Sequence, residues 1–263
     1  MSTQRPAPSR RQGGRPVTEA VGPVAVGNGG HGIPLVAGAA LALVFDAMTR
    51  LRRGKPIHSH GVVAQAIVKR TGSTYRRWGV PWLDEPGTDV GIVRFSRAAG
   101  LPWAVPDVLG LALRLEVAGA QHDLLLATTG MRPGWRHVLC PRWHALRAPY
   151  GSLLPYDAAG RRVLIAAVPE ADAPYGISDA DVARALAPAS RTFQLMVATL
   201  LGNWTPFAQL TVTPDDNVSD VPVAFDPVLN PLPGLPLGQP FRSLREPAYR
   251  AARRARRHQA GGA

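Results

Sequence analysis

Two regions of this sequence carry side chains whose types and spacing suit chemistry. The first lies near the C-terminus. Pro247 suits a first helical turn, where its missing N–H costs nothing. A helix that starts there places Arg245, Tyr249, Arg253 and Arg256 on one face. A free phenol ionises at a pKa of roughly 10, and guanidinium groups one turn away on either side favour the phenolate. A phenolate directed into a pocket can serve as an axial ligand to haem iron. The same residues also read as a basic surface helix that happens to carry a tyrosine.

The second region is Ile57-His58-Ser59-His60-Gly61. An imidazole with a pKa near neutrality, held above a haem iron, can take a proton from a hydroperoxide and return it to the departing oxygen. It needs an orienting partner on its other nitrogen, and Ser96 is a candidate. Lys55, Arg94 and Arg256 are candidates to hold haem propionates as charge-assisted pairs. His58 also reads as a capping or surface histidine in a turn. The His58-Ser59-His60 triplet allows different chemistry. On a strand its two imidazoles share a side, where they could bind a metal or act on a phosphodiester, with Asp46, Asp84, Asp89 or Asp107 as further ligands.

These side chains need elements to position them. Leu35 to Arg53 reads as a helix ended by Gly54. Val62–Val68, Val90–Phe95, Leu109–Val117, Gln121–Thr128 and Arg162–Val168 read as strands. In the third of these, Leu111, Leu113 and Leu115 alternate with Arg114 and Glu116, and a turn containing Gly119 joins it to the fourth. Arg70 to Gly87 reads as a turn-rich loop and residues 129–160 as irregular. Ser178 caps a short helix that ends near Leu186. Phe193–Leu201 and Phe207–Val212 form a hairpin around Gly202-Asn203-Trp204. Residues 213–240 read as an extended, Pro-rich strap rather than a packed element. Strands in hairpin order with few helices between them imply an antiparallel barrel or sandwich, and a barrel interior is a natural place to hold a cofactor.

With 263 residues, 46% of them hydrophobic, the chain can bury one sizeable core. The expected organisation is a tail over 1–30, a single domain over 31–257 and a short tail over 258–263. The net charge of +12 is concentrated at the ends. Residues 1–16 hold four arginines and no acid, and residues 241–263 hold seven arginines against Glu246. This is not the patch on a folded surface that a specific nucleic-acid binder carries. Cys140 is the only cysteine, so no internal disulfide can form, which fits a reducing, cytoplasmic setting. The start of the chain lacks a signal-peptide pattern, and the longest apolar run, Ile33 to Phe45, is too short to span a bilayer. Nothing in the sequence fixes an oligomeric state, and a homo-oligomer stays open.

In order and spacing, several motifs resemble the catalase-like haem superfamily, in particular its minimal catalase-related and allene-oxide-synthase-like members. His58-Ser59-His60-Gly61 is similar to the family's distal H-x-x-G, and Arg94-Phe95-Ser96 to its R-F-S strand end. The run from Asp107 to Arg114 resembles D-x-x-G-F-A-x-K, and Asp123-Leu124 the Asp-Leu of the next strand. Phe225-Asp226-Pro227 with Pro236-Leu237-Gly238 is similar to the strap of the small relatives. Arg245-x-x-x-Tyr249, with Arg256 beyond, is similar to the proximal R-x-x-x-Y and its later propionate arginine. The resemblance implies an α+β fold: an antiparallel catalase-like β-barrel with flanking helices and a C-terminal proximal helix. It implies haem b as cofactor and Tyr249 as the iron ligand, with Arg245 keeping it a phenolate. His58 becomes the distal acid–base group, Ser96 its support, and Arg94 and Arg256 propionate partners. Lys55 stands where the family often has Arg, so a point charge replaces a fork.

The chain departs from the pattern where the family has a distal Asn: here the residue is Ala127, with Thr128 and Thr129 as polar neighbours. The phenylalanines expected just beyond are also absent. The implied activity is therefore on hydroperoxides, organic ones above all, with weak or no true catalase activity. Two other readings stand beside it: a phosphodiesterase-type hydrolase using the His58-Ser59-His60 triplet, and a non-catalytic relic of the same barrel.

Overall fold

In the computed structural model, residues 61–98, 105–170, 179–186, 189–214 and 225–238 are described. The expected helix at Leu35–Arg53, the His58 segment and the Tyr249 helix lie outside them, as do the two tails.

The strands arise where alternation or a continuous apolar run makes a two-faced surface. They are β1 (Gly61–Arg70), β2 (Gly87–Arg97), β3 (Leu109–Val117), β4 (Ala120–Thr128), β5 (Tyr150–Gly151), β6 (Tyr156–Ala158), β7 (Arg161–Pro169), β8 (Arg191–Thr199) and β9 (Thr205–Thr213). Among the described residues two α-helices stand between strands: α1 (Pro81–Asp84) and α2 (Asp179–Leu186). α1 has proline at its start, and the Asp84 carboxylate accepts the backbone N–H groups of Trp78, Gly79 and Val80. It turns Trp82 inward, where the indole N–H donates to Asp89 at 3.0 Å.

Every strand pairing is antiparallel, in the order β5-β4-β3-β2-β1-β9-β8-β7-β6, and β5 also pairs with β7. That last pairing closes the sheet into an eight-stranded barrel. β5 and β6 lie one after the other along the same edge of β7: Tyr150 faces Ala167 and Tyr156 faces Val163. Closure pairs the edges that an open sheet would leave exposed.

The interior is solid. Val93, Phe95, Leu111, Leu113, Leu115, Leu124, Leu126, Ile165, Phe193, Leu195 and Leu210 fill it. Phe95, Tyr150 and Phe193 meet with ring centroids 6.1–6.4 Å apart. The buried Tyr150 hydroxyl donates to the Ala145 carbonyl at 2.7 Å, and burial pushes the phenol's pKa well above its ordinary value. The expectation of a cofactor held inside the barrel therefore fails: an eight-stranded barrel has room for side chains, and here they occupy it. Buried ion pairs sit toward both ends of β2, Arg70–Asp89 at 2.9 Å and Arg97–Asp107 at 3.6 Å.

The segment read as an unpacked strap is docked over the part that is described. Leu232, Leu235 and Leu237 are buried in the core, and the Asp157 N–H donates to the Pro236 carbonyl. The Pro-rich composition limits regular structure but not burial. No helix among the described residues is long and apolar enough to cross a membrane.

Candidate functional site on the outer wall

On β2, Val93 and Phe95 point into the core, so Arg94 and Ser96 turn to the outer face. The strand register then fixes what lies beside them. Ser96 faces Gly61 on one side and Gly110 on the other; Gly110 faces Ala127, and Ala127 faces Gly151. This row crosses five strands without a side chain larger than serine. The next row, two residues along, is Val63, Arg94, Ala112 and Leu125. The third is Gln65, Ile92, Arg114 and Asp123.

The glycines have steric reasons. A Cβ on Gly61 would lie 2.7 Å from the Phe95 carbonyl oxygen and about 3 Å from the Arg94 guanidinium. A Cβ on Gly110 would lie 2.8 Å from Ser96 Oγ. The serine hydroxyl therefore reaches sideways over Gly110, along the wall.

The far side of the wall ends in a charged anchor. The Arg114 guanidinium makes two hydrogen bonds to the Asp123 carboxylate, at 2.7 and 2.8 Å. Asp123 is fully buried, and its Oδ2 also accepts the Asp226 N–H at 2.7 Å and the Asn230 side-chain amide at 3.0 Å. Hydrogen bonding to Asp123 raises the pKa of Arg114 further, so the guanidinium keeps its charge at any ordinary pH. Arg114 also lies over the Phe225 ring, 5.2 Å from its centroid. The segment Phe225–Gly238 is thus held against the barrel by β3 and β4.

Of the expected site residues, the structure brings together Arg94 and Ser96, two positions apart on one face of β2. Lys55, His58, Arg245, Tyr249 and Arg256 lie outside the described residues. Thr128 and Thr129, the polar neighbours of Ala127, separate cleanly. Thr128 is buried and its hydroxyl accepts the Leu109 N–H at 3.1 Å. Thr129 falls on the outer face with Ala127, and its Oγ1 lies over Gly151, 2.3 Å from where a Cβ would sit. The Arg114–Asp123 pair was not anticipated from the sequence, although a signal exists. Ala118 and Gly119 both have positive φ, 51° and 78°, and form a two-residue hairpin turn. Counting outward from it puts position 114 opposite 123.

Of the acids considered as metal ligands, Asp46 lies outside the described residues and the other three are engaged elsewhere. Asp84 accepts the backbone N–H groups of Trp78, Gly79 and Val80, Asp89 holds Arg70 and Trp82, and Asp107 pairs with Arg97. Among the described residues no group of three or more His, Cys, Asp or Glu is placed to hold a metal ion.

No protein-family profile matches the chain, and no curated protein is detectably similar in sequence. Solved structures do match. Catalase A from Saccharomyces cerevisiae superposes with a TM-score of 0.60 at 11% identity, over 80% of this chain and 63% of that one. A fungal catalase gives 0.53 at 14% identity, over 85% and 63%, and a bacterial catalase 0.54 at 13%, over 87% and 62%. The chain thus spans less than two thirds of the length of these catalases. The likeness, at such low identity, establishes the architecture: this chain has the antiparallel catalase-like barrel fold.

Proposed function

We propose that this protein binds haem b on the outer wall of its barrel and reacts with hydroperoxides, organic ones in particular, with weak or no true catalase activity. The observation that carries the reading is the pairing of a catalase-like barrel with the outer-wall row Gly61–Ser96–Gly110–Ala127, beside Arg94. A flat, anionic ring system fits such a surface. Gly61, Gly110, Ala112 and Ala127 leave it bare beyond one carbon, and the Arg94 fork suits a carboxylate.

Haem, when bound, supplies an iron centre at which an O–O bond can be broken. The chain's own residues supply the rest. Tyr249 would hold the iron as a phenolate, favoured by Arg245. Arg94, Arg256 and Lys55 would neutralise propionates. The His58 imidazole takes the hydroperoxide proton and returns it to the departing oxygen, with Ser96 Oγ steadying the ring. Ala127 leaves the wall apolar where an amide would bind hydrogen peroxide, which favours substrates with a hydrocarbon substituent. A cytoplasmic setting accords with the single cysteine.

The test is an absorption spectrum of the protein purified after haem supplementation, set against Tyr249→Phe. A Soret band in the wild type that is lost or shifted in the variant supports the reading. A spectrum without haem, or haem unaffected by the substitution, defeats it. Haem bound without turnover of any hydroperoxide would mark the protein as a relic of the barrel.

A further inference from the structure

Two turns that the function above does not use stand side by side. In the first, Arg132-Pro133-Gly134-Trp135, the Trp135 N–H donates to the Arg132 carbonyl at 3.0 Å. Proline second and glycine third, with a φ of 83° at Gly134, suit a type II turn, which fixes where Arg132 and Trp135 lie. The Val138 N–H then donates to the Trp135 carbonyl. The second turn joins β8 to β9, and within it the Gly202 N–H donates to Thr199 Oγ1. Arg136 clamps the two together. Its buried guanidinium donates to the Met131 carbonyl in one turn and to the Thr199 and Leu200 carbonyls in the other, and it lies over the Trp204 ring, 4.5 Å from the centroid. The Trp204 indole N–H also donates to the Met131 carbonyl, at 2.8 Å.

The clamp holds hydrocarbon out to solvent. Trp135, next to Arg136, is 61% exposed; Leu201, next to Leu200, is 76% exposed; Val138 is 40% exposed. Large apolar side chains held in water on a rigid turn mark a contact surface, and little order is lost when such a surface is covered. Tryptophan suits the boundary between water and hydrocarbon, because its ring is apolar and its N–H is not. The charge around it has one sign. Arg132 is exposed at the start of the same turn. Residues 124–156 hold four arginines and no acid, and residues 182–214, which include the second turn, hold no acid either. A nucleic acid would use aromatic faces and several cations, but gains nothing from Leu201 and Val138. Hydrocarbon at the tips with a cation beside it suits a bilayer.

We propose that the surface of Trp135, Val138 and Leu201 docks the protein on a lipid bilayer that carries anionic headgroups. The three side chains enter the boundary between headgroups and acyl chains, and Arg132 pairs with a lipid phosphate. The contact needs neither haem nor turnover, so it stands independently of the hydroperoxide reading.

The experiment sediments the full chain with phosphatidylcholine vesicles, with and without phosphatidylglycerol, at low and high salt, and measures Tm in parallel. The wild type is expected to bind the mixed vesicles and to keep part of that binding in high salt, where attraction by the arginine-rich chain ends is screened. Trp135→Ser and Leu201→Ser should each weaken binding about tenfold at both salts. Arg132→Gln should weaken it about fivefold, at low salt and on the anionic vesicles alone. All three side chains face solvent, so Tm should not move. Brominated lipid should quench tryptophan fluorescence in the wild type, and the conservative Trp135→Phe should remove most of that quenching. A wild type that stays in the supernatant overturns the proposal. So does binding that vanishes in high salt and is equal in all the variants, which assigns it to the chain ends. Binding of a double-stranded oligonucleotide that falls in Trp135→Ser while vesicle binding does not makes this a nucleic-acid surface. A dimer in solution that Leu201→Ser converts to monomer, with vesicle binding unchanged, makes it a self-contact. Either result overturns the bilayer.

Discussion

Arg114 and Asp123 stand directly opposite each other across the β3–β4 hairpin and share two charge-assisted hydrogen bonds. The carboxylate is fully buried, and it also accepts two donors from the segment that follows β9, the Asp226 N–H and the Asn230 amide. One carboxylate thus joins two strands and a distant loop. Asp123→Asn removes the charge and leaves the guanidinium without its counter-ion. Breaking such a pair costs about 3–5 kcal/mol. The expected outcome is a clear fall in the urea midpoint, with proteolytic cleavage appearing first within residues 225–238.

Tyr150 gives the barrel a pH dependence on the alkaline side. Burial holds its phenol protonated in the folded state, whereas the unfolded chain ionises it near pH 10. The raised folded pKa means that its contribution is complete below the unfolded pKa and is lost as pH rises beyond it. Tyr150→Phe gives up the hydrogen bond to Ala145, about 1 kcal/mol near neutrality. Above about pH 10 the wild type should lose stability relative to the variant by about 1.4 kcal/mol per pH unit. Urea titrations of both proteins between pH 7 and 11 measure this difference. Parallel curves would show that the phenol ionises equally well in the folded protein.

Gly110→Ala puts a methyl group where Ser96 Oγ now lies, 2.8 Å away. A single hydroxyl can rotate aside, so stability should change by less than about 1 kcal/mol. The serine loses its position on the wall, and hydroperoxide turnover should fall about tenfold, equivalent to about 1.4 kcal/mol. Gly119→Ala is the control: its φ of 78° makes any side chain strained, yet nothing lies within 4 Å of the new methyl group. It should lose about 1 kcal/mol of stability and keep its turnover.

Ala127→Asn places an amide on the wall between Ser96 and Thr129. Oxygen release from hydrogen peroxide should rise at least tenfold over the wild type, while KM for bulky organic hydroperoxides should rise. Measured with an oxygen electrode, equal rates in both proteins would remove Ala127 as the cause of the substrate preference.

The strands with a clean binary pattern were legible in the sequence. β3 coincides with the Leu109–Val117 run because each leucine has an inward station and each residue between them an outward one. The β8–β9 hairpin was legible from its turn. β5 and β6 were not: they are two and three residues long, and their strand character comes from β7 alongside rather than from any local pattern. The segment from Phe225 was misread as unpacked because proline masks a buried set, Leu232, Leu235 and Leu237, that only the folded barrel assembles.

For the site, residue type suggested Arg94 and Ser96, and alternation with Phe95 is enough to pair them on one face. What the sequence obscured was which face. A cofactor inside a barrel is a reasonable expectation until the volumes of Phe95, Tyr150 and Phe193 are placed in it. The lateral row from Gly61 to Gly151 depends on the register of four hairpin or closure pairings at once, which no local window contains.

The cylinder is fastened unevenly. β1 and β2 zip together along ten residues, whereas among the described residues β4 and β7 are joined through the short stretch Tyr150–Gly151, which Ser152 extends with hydrogen bonds to Ile165. On warming, that stitch is where the wall should part first, and its amides should exchange with deuterium ahead of the rest of the sheet. Once parted, the molecule becomes a curled ribbon with two sticky margins, so heat-induced clumping should follow local unbuttoning rather than wholesale melting. A cross-link between positions 128 and 150 would hold the stitch shut and delay the clumping.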